Sequence, residues 1–172
     1  KTVECLEQRN PEFAGQIKAV DDNVGKVLDK LEELGLTDNT IVIFTSDQGS
    51  VCTSKIMVSS QKPYRLGKAW MFDGGIRVPF IVKWPGLVQA GSRSERLIGL
   101  QDVFRTLAQV SRQQLKDDQG VDSISLIPLL KDGAAPAPRK TMVQKSTRSW
   151  AVRKGDWKLC LCPGSGSVAK YG

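Results

Sequence analysis

One stretch limits what this chain can fold into more than any other: Thr40 to Gly49, TIVIFTSDQG, an apolar run that ends abruptly in an acid, an amide and a glycine. Ile41, Val42, Ile43 and Phe44 are consecutive rather than alternating, which predicts a strand covered on both faces, as in the parallel sheet of an α/β domain. In such sheets ligands sit beyond the carboxyl ends of the strands. Asp47 and Gln48 are therefore candidate oxygen ligands facing a crevice, with Gly49 letting the backbone turn away. A strand end whose aspartate merely caps the next turn fits these ten residues about as well.

Composition narrows the function classes. The 172 residues suit one domain with a sizeable core, or most of one plus a small appendage. No apolar run approaches the roughly 20 residues of a membrane span, and KTVECLEQRNPEF at the start has no signal-peptide core. A net charge of +7 favours anionic partners. Nucleic acid is disfavoured, because the basic residues are scattered and no aromatic platform is interleaved with them. The chain has no histidine, which removes Ser-His-Asp and Cys-His catalysis and His-ligated zinc from within it. Four cysteines, Cys5, Cys52, Cys160 and Cys162, give no two-pair zinc pattern; free thiols are favoured slightly over a disulfide framework.

A helix is predicted from Asn10-Pro11-Glu12, where Asn caps, Pro takes the first helical position and Glu meets the positive end of the dipole. Phe13, Ile17, Val20, Val24, Val27, Leu28, Leu31 and Leu34 recur at steps of three and four, and Gly35 supplies a left-handed stop with Leu36 folding back. The opposite face is charged, so the helix is expected to pack on a sheet and, with the strand that follows, to form the αβ half of a crossover. No buried strand precedes the helix in residues 1 to 10, from which the chain is expected to begin partway through a domain. Ser50 to Gln61 reads as a loop.

The second informative stretch is KPYRLGKAWMFDGGIRVPFIVKWPG, residues 62 to 86. Gly67 and Gly74-Gly75 mark close backbone approach, and Lys68, with Arg65 and Arg77 nearby, makes a cationic loop suited to an anion; a plain basic surface loop is the competing reading. Ile76 to Trp84 is predicted as a strand, edge or bulged at Pro79. A short amphipathic helix follows from Asp102 to about Arg112, then a short apolar turn through Leu130 and a breaker, DGAAPAP, at residues 132 to 138. This suggests two parts, 1–138 and 139–172. Thr141 to Lys145, Trp150 to Arg153 and Trp157 to Leu161 read as an antiparallel meander, and the Gly- and Ser-rich tail from Pro163 carries no packing signal.

Taken together, TIVIFTSDQG, GKAWMFDGGIRVPFIVKWPG, LQDVFRTLAQV, VDSISLIPLL and AVRKGDWKLCL resemble the carboxyl-terminal half of a type I sulfatase, in the arylsulfatase and N-acetylgalactosamine-6-sulfatase branch. The resemblance runs from about Phe13 to Pro163, and its most specific element is the pairing of SDQG with the GKAWMFDGGIRVP block. It implies an α/β fold of the alkaline phosphatase-like kind, with a mixed, mostly parallel sheet between helices, followed by a small antiparallel segment. It also implies hydrolysis of sulfate esters by a formylglycine made from a cysteine, beside calcium or magnesium. The substrate would be a small-molecule or glycan sulfate ester and the setting periplasmic, secreted or lysosomal.

By the same resemblance Asp47 stands where the family has a metal-binding aspartate, Gln48 where it usually has asparagine, and Lys68 where it has a lysine that contacts sulfate. Asp73 replaces the more common glutamate and reads as structural. The cysteine nucleophile motif is not found: Cys5-Leu6-Glu7-Gln8-Arg9 has Glu where Pro or Ala is expected and lies on the wrong side of the helix. The isolated chain is therefore expected to be inactive, to bind calcium weakly and to self-associate through an uncovered sheet edge. Competing readings are a phosphodiesterase or phosphoglycerol transferase of the same superfamily, and a non-catalytic anion-binding or interaction domain.

Overall fold

The computed structural model describes residues 10–51, 59–146 and 149–161. Helix α1 spans Pro11–Glu33, and its start follows the expected chemistry: the Asn10 side chain accepts from the Phe13 N–H at 2.9 Å, with Pro11 at the first position. Its end is equally local. Gly35 adopts φ +65°, Gly35 N–H donates to Glu32 O and Leu36 N–H to Leu31 O, the paired bonds of a Schellman stop. The helix nevertheless buries none of its residues, and Ile17 and Val27 are 55% and 58% exposed.

Strand β1 (Val42–Thr45) pairs antiparallel with β2 (Phe80–Lys83), with Ile43 opposite Val82 and Phe44 opposite Ile81. The parallel, doubly covered strand expected from the apolar run is thus not what the described residues contain. β1 is half-buried at Val42 and Ile43 and exposed at Phe44 and Thr45, because no described element lies over its open side. The second strand is also shorter than its apolar pattern. Residues Asp73–Ile76 form a helical turn, α2, closed by Arg77 N–H on Asp73 O, and the ladder begins only after Pro79, which has no N–H to give it.

Helix α3 (Asp102–Val110) stops two residues before the expected end, where the Ser111 hydroxyl donates to Leu107 O and Arg112 takes φ +55°. With α4 (Ile127–Lys131) it frames a buried cluster that includes Asp102, Thr106, Ser123, Leu126 and Leu129. Asp102 has no exposed surface: it accepts from Gly99 N–H at 2.8 Å, from Ile124 N–H at 3.0 Å and from the Arg139 guanidinium. Thr106 passes the connection on, donating to Asp102 O at 2.6 Å and accepting from Leu126 N–H at 2.9 Å. Strands β3 (Thr141–Lys145), β4 (Trp150–Lys154) and β5 (Trp157–Leu161) form the expected antiparallel meander. The described core is small: Leu126 and Leu129 from the α4 region, Met142 and Ala151 from the meander. The breaker segment is pinned rather than free, since Arg96 donates to Ala134 O and Ala135 O, each at 3.1 Å.

Candidate functional site

The two informative stretches of the sequence meet as backbone. Gly49 N–H, just past the end of β1, donates to Gly75 O at 2.9 Å, and Lys68 N–H donates to Ser50 O at 2.8 Å. Gly74 N–H reaches Arg65 O at 3.1 Å, and Gly75 N–H reaches Phe72 O at 2.9 Å. The approach is so close that side chains are excluded. A Cβ on Gly49 would stand 1.8 Å from Gly74 O, and one on Gly74 would stand 1.9 Å from Leu66 O. Leu66 and Ala69, flanking Gly67-Lys68, take φ +57° and +75°, a region that residues with a Cβ visit only when the surroundings insist.

This knot fixes where Asp47, Gln48 and Lys68 emerge. Asp47 is exposed and its carboxylate accepts from the Gln48 side-chain amide at 2.8 Å. That hydrogen bond is the main cause holding the Asp47 carboxyl below the ordinary aspartate range; the backbone N–H groups of Asp47 and Gln48 and the Lys68 ammonium act the same way, against the opposing pull of desolvation. The Lys68 charge is thus felt at Asp47, and the Lys68 N–H bond to Ser50 O holds its loop against the segment that follows Asp47 and Gln48. Ser46 Oγ donates to Gln48 O at 3.1 Å and steadies the same turn.

An ionised, open carboxylate is a hard oxygen donor and fits a hard divalent cation. Gln48 turns its amide nitrogen, not its oxygen, toward Asp47, so in this arrangement it braces the carboxylate rather than ligating beside it. Among the described residues no group of three or more His, Cys, Asp or Glu could hold a metal. One carboxylate and one amide fall well short of the roughly six to eight oxygen ligands that calcium takes.

Asp73 connects this knot to the meander. Its Oδ1 accepts from Lys158 Nζ at 2.6 Å and its Oδ2 from Arg153 at 3.2 Å. Burial alone would raise its pKa, but the hydrogen bond from Lys158 and the charges of Lys158, Arg153 and Arg77 hold it below the usual range. Around it, Arg65 stacks on Phe72 at 4.2 Å and Arg77 on Tyr64 at 4.8 Å. Cys160 is free, its thiol directed at Met71 O at 3.7 Å; Cys5, Cys52 and Cys162 lie outside the described residues.

A family model described as Sulfatase matches residues 4–111. The chain belongs to the sulfatase family. It is 35% identical over 150 residues to N-acetylgalactosamine-6-sulfatase of Rattus norvegicus, covering 87% of this chain and 28% of that protein. It is 39% identical over 135 residues to steryl-sulfatase of the same organism, covering 70% of this chain and 23% of that one. The crystal structure of the PsFucS1 sulfatase from Pseudoalteromonas sp. superposes with a TM-score of 0.73 at 30% identity, over 81% of this chain and 28% of that one. The chain thus spans under a third of the length of these sulfatases, whose family hydrolyses sulfate esters.

Two features of the site go beyond the sequence reading. The Asp73 contacts were legible only as a pattern: alternation in β4 and β5 sets Arg153 and Lys158 on the face that carries Ala151 and Cys160, so two cations point inward. The helical turn at Asp73–Ile76 had no periodic signal at all, being four residues long.

Proposed function

We propose that this chain is a carboxyl-terminal part of a sulfate-ester hydrolase, supplying part of the metal and sulfate site while the formylglycine nucleophile and the remaining metal ligands lie elsewhere in the enzyme. The observation that carries this reading is the knot that brings the SDQG strand end and the GK loop together, with Asp47 and Lys68 in electrostatic reach. In the complete enzyme Asp47, with Gln48 after an amide turn-over, would hold calcium or magnesium. Such a cation, when bound, polarises the sulfate group. The Lys68 ammonium faces the charge that accumulates on sulfate oxygens in the transition state. The relatives' names cover both an amino-sugar sulfate and a steryl sulfate, so the substrate class is a small-molecule or glycan sulfate ester. The family reading also carries a periplasmic, secreted or lysosomal setting, and the parallel part of the sheet as the surface on which α1 packs.

The test is turnover of a chromogenic aryl sulfate by the complete enzyme, with and without a chelator, beside the isolated chain. Cation-dependent hydrolysis by the complete enzyme and none by the isolated chain is expected. Turnover of a phosphodiester in place of the sulfate ester would overturn the reading in favour of a phosphodiesterase, and turnover of neither would leave an anion-binding domain.

A further inference from the structure

We infer that Asp73 is a positioning residue through which the antiparallel meander holds the metal- and sulfate-facing loops in register; the role of those loops rests on the function proposed above. The meander's geometry is the starting point. Opposite residues across its ladders share a face, which places Met142, Arg153 and Lys158 in one row and Gln144, Ala151 and Cys160 in the next. That face meets the turn at residues 71–73: Lys158 and Arg153 both reach the Asp73 carboxylate, and Cys160 reaches Met71 O. The cations are largely shielded, Lys158 being 15% exposed and Arg153 31%. A carboxylate gripped at both oxygens by two different strands cannot rotate without breaking one contact.

Asp73 is one residue from Gly74 and two from Gly75. Gly74 is bonded to Arg65, and Gly75 accepts from Gly49, two residues past Asp47. A displacement of the Asp73 turn therefore moves the Asp47 strand end and the loop carrying Lys68 together, because the knot has no side-chain slack to absorb it. Misplacement of a reacting group by about 1 Å costs on the order of a hundredfold in rate, so partial loosening of this tether is expected to act on turnover.

The test uses the complete enzyme with Asp73→Asn, Asp73→Glu and Lys158→Met. Two readouts are taken: kcat and KM on an aryl sulfate, and hydrogen–deuterium exchange of the peptides containing Gly49 and Lys68. Asp73→Asn and Lys158→Met should each lower kcat roughly tenfold with KM within about twofold, a partial form of the misplacement penalty. Both should speed exchange at Gly49 and Lys68, while Asp73→Glu, which keeps the charge, should stay near wild type. The inference is overturned if Asp73→Asn and Lys158→Met lower only thermal stability with kcat and exchange at Gly49 and Lys68 unchanged, or if Asp73→Glu is as impaired as Asp73→Asn. Should the wild-type enzyme hydrolyse no sulfate ester, the functional reading fails by itself, and exchange at Gly49 and Lys68 in the same three variants still decides the role of Asp73. Lys158→Met removes the contact from outside the glycine turn, so a folding failure of Asp73→Asn does not remove the test.

Discussion

Asp102 and Asp47 are the same residue type put to opposite uses. Asp102 is fully buried and spends its oxygens on two backbone N–H groups and a guanidinium from within the chain. Asp47 is open to solvent, its pKa lowered mainly by a neighbouring amide, and stands at a strand end whose backbone is locked. A carboxylate whose acceptor capacity is filled by its own chain organises the fold; one kept charged and exposed on rigid backbone has capacity left for a ligand. The contrast extends to the surroundings. Around Asp102 the specification is by side chains, with Thr106, Ser123, Arg105 and Arg139 bridging α3, the segment before α4 and the chain beyond. Around Asp47 it is by glycines.

The comparison breaks most visibly if Asp102 is removed. Asp102→Ala leaves the Arg139 cation shielded and unpaired, and should destabilise the protein by roughly 3–5 kcal/mol in chemical denaturation. A loss under about 1 kcal/mol would mean that the buried cluster is replaceable packing. Next in size are the glycines of the knot. Gly49→Ala and Gly74→Ala each force a Cβ into a carbonyl oxygen and should cost more than about 2 kcal/mol as well as turnover. Gly15→Ala and Gly25→Ala, which meet nothing within 4 Å on α1, should instead stabilise by roughly 0.5–1 kcal/mol. Equal effects at the two kinds of glycine would show the knot to be loose.

The smallest expected effect is a pH dependence at Asp73. Its folded pKa is depressed, so its contribution to stability is present above the unfolded value of about 3.9 and is lost as pH falls through the folded value. The stability difference between wild type and Asp73→Asn should therefore be flat from pH 7 to 5 and shrink below about pH 4. A difference that grows on acidification would contradict the ion-pair account.

Much of this was legible in the residues. The Asn10-Pro11 start and Gly35-Leu36 stop of α1, and the three strands after residue 139, are fixed by local chemistry and emerge where the sequence puts them. The strand partnerships of Val42–Thr45 were not, because an apolar run reports burial and not which neighbour supplies it. Burial of Asp102 was equally hidden, since its partners Ile124 and Arg139 lie 22 and 37 residues away. The strand-end pattern nominated Asp47 and Gln48 and the glycine-flanked basic loop nominated Lys68, while their specific metal and sulfate roles came only by resemblance. The meeting of their two segments follows from backbone bonds between glycine-rich turns, which composition does not encode.

The most direct test of the central claim, that the SDQG and GK segments form one sulfate-facing site, is turnover of an aryl sulfate by the complete enzyme carrying Lys68→Ala, measured beside Lys62→Ala and Lys83→Ala. The account predicts a loss of roughly a hundredfold or more for Lys68→Ala, the scale of one preorganised electrostatic donor. Stability should stay within about 0.5 kcal/mol of wild type because the Lys68 side chain is exposed, and the other two lysines, likewise exposed, should have little effect. Turnover left intact by Lys68→Ala but abolished by Lys62→Ala would contradict it.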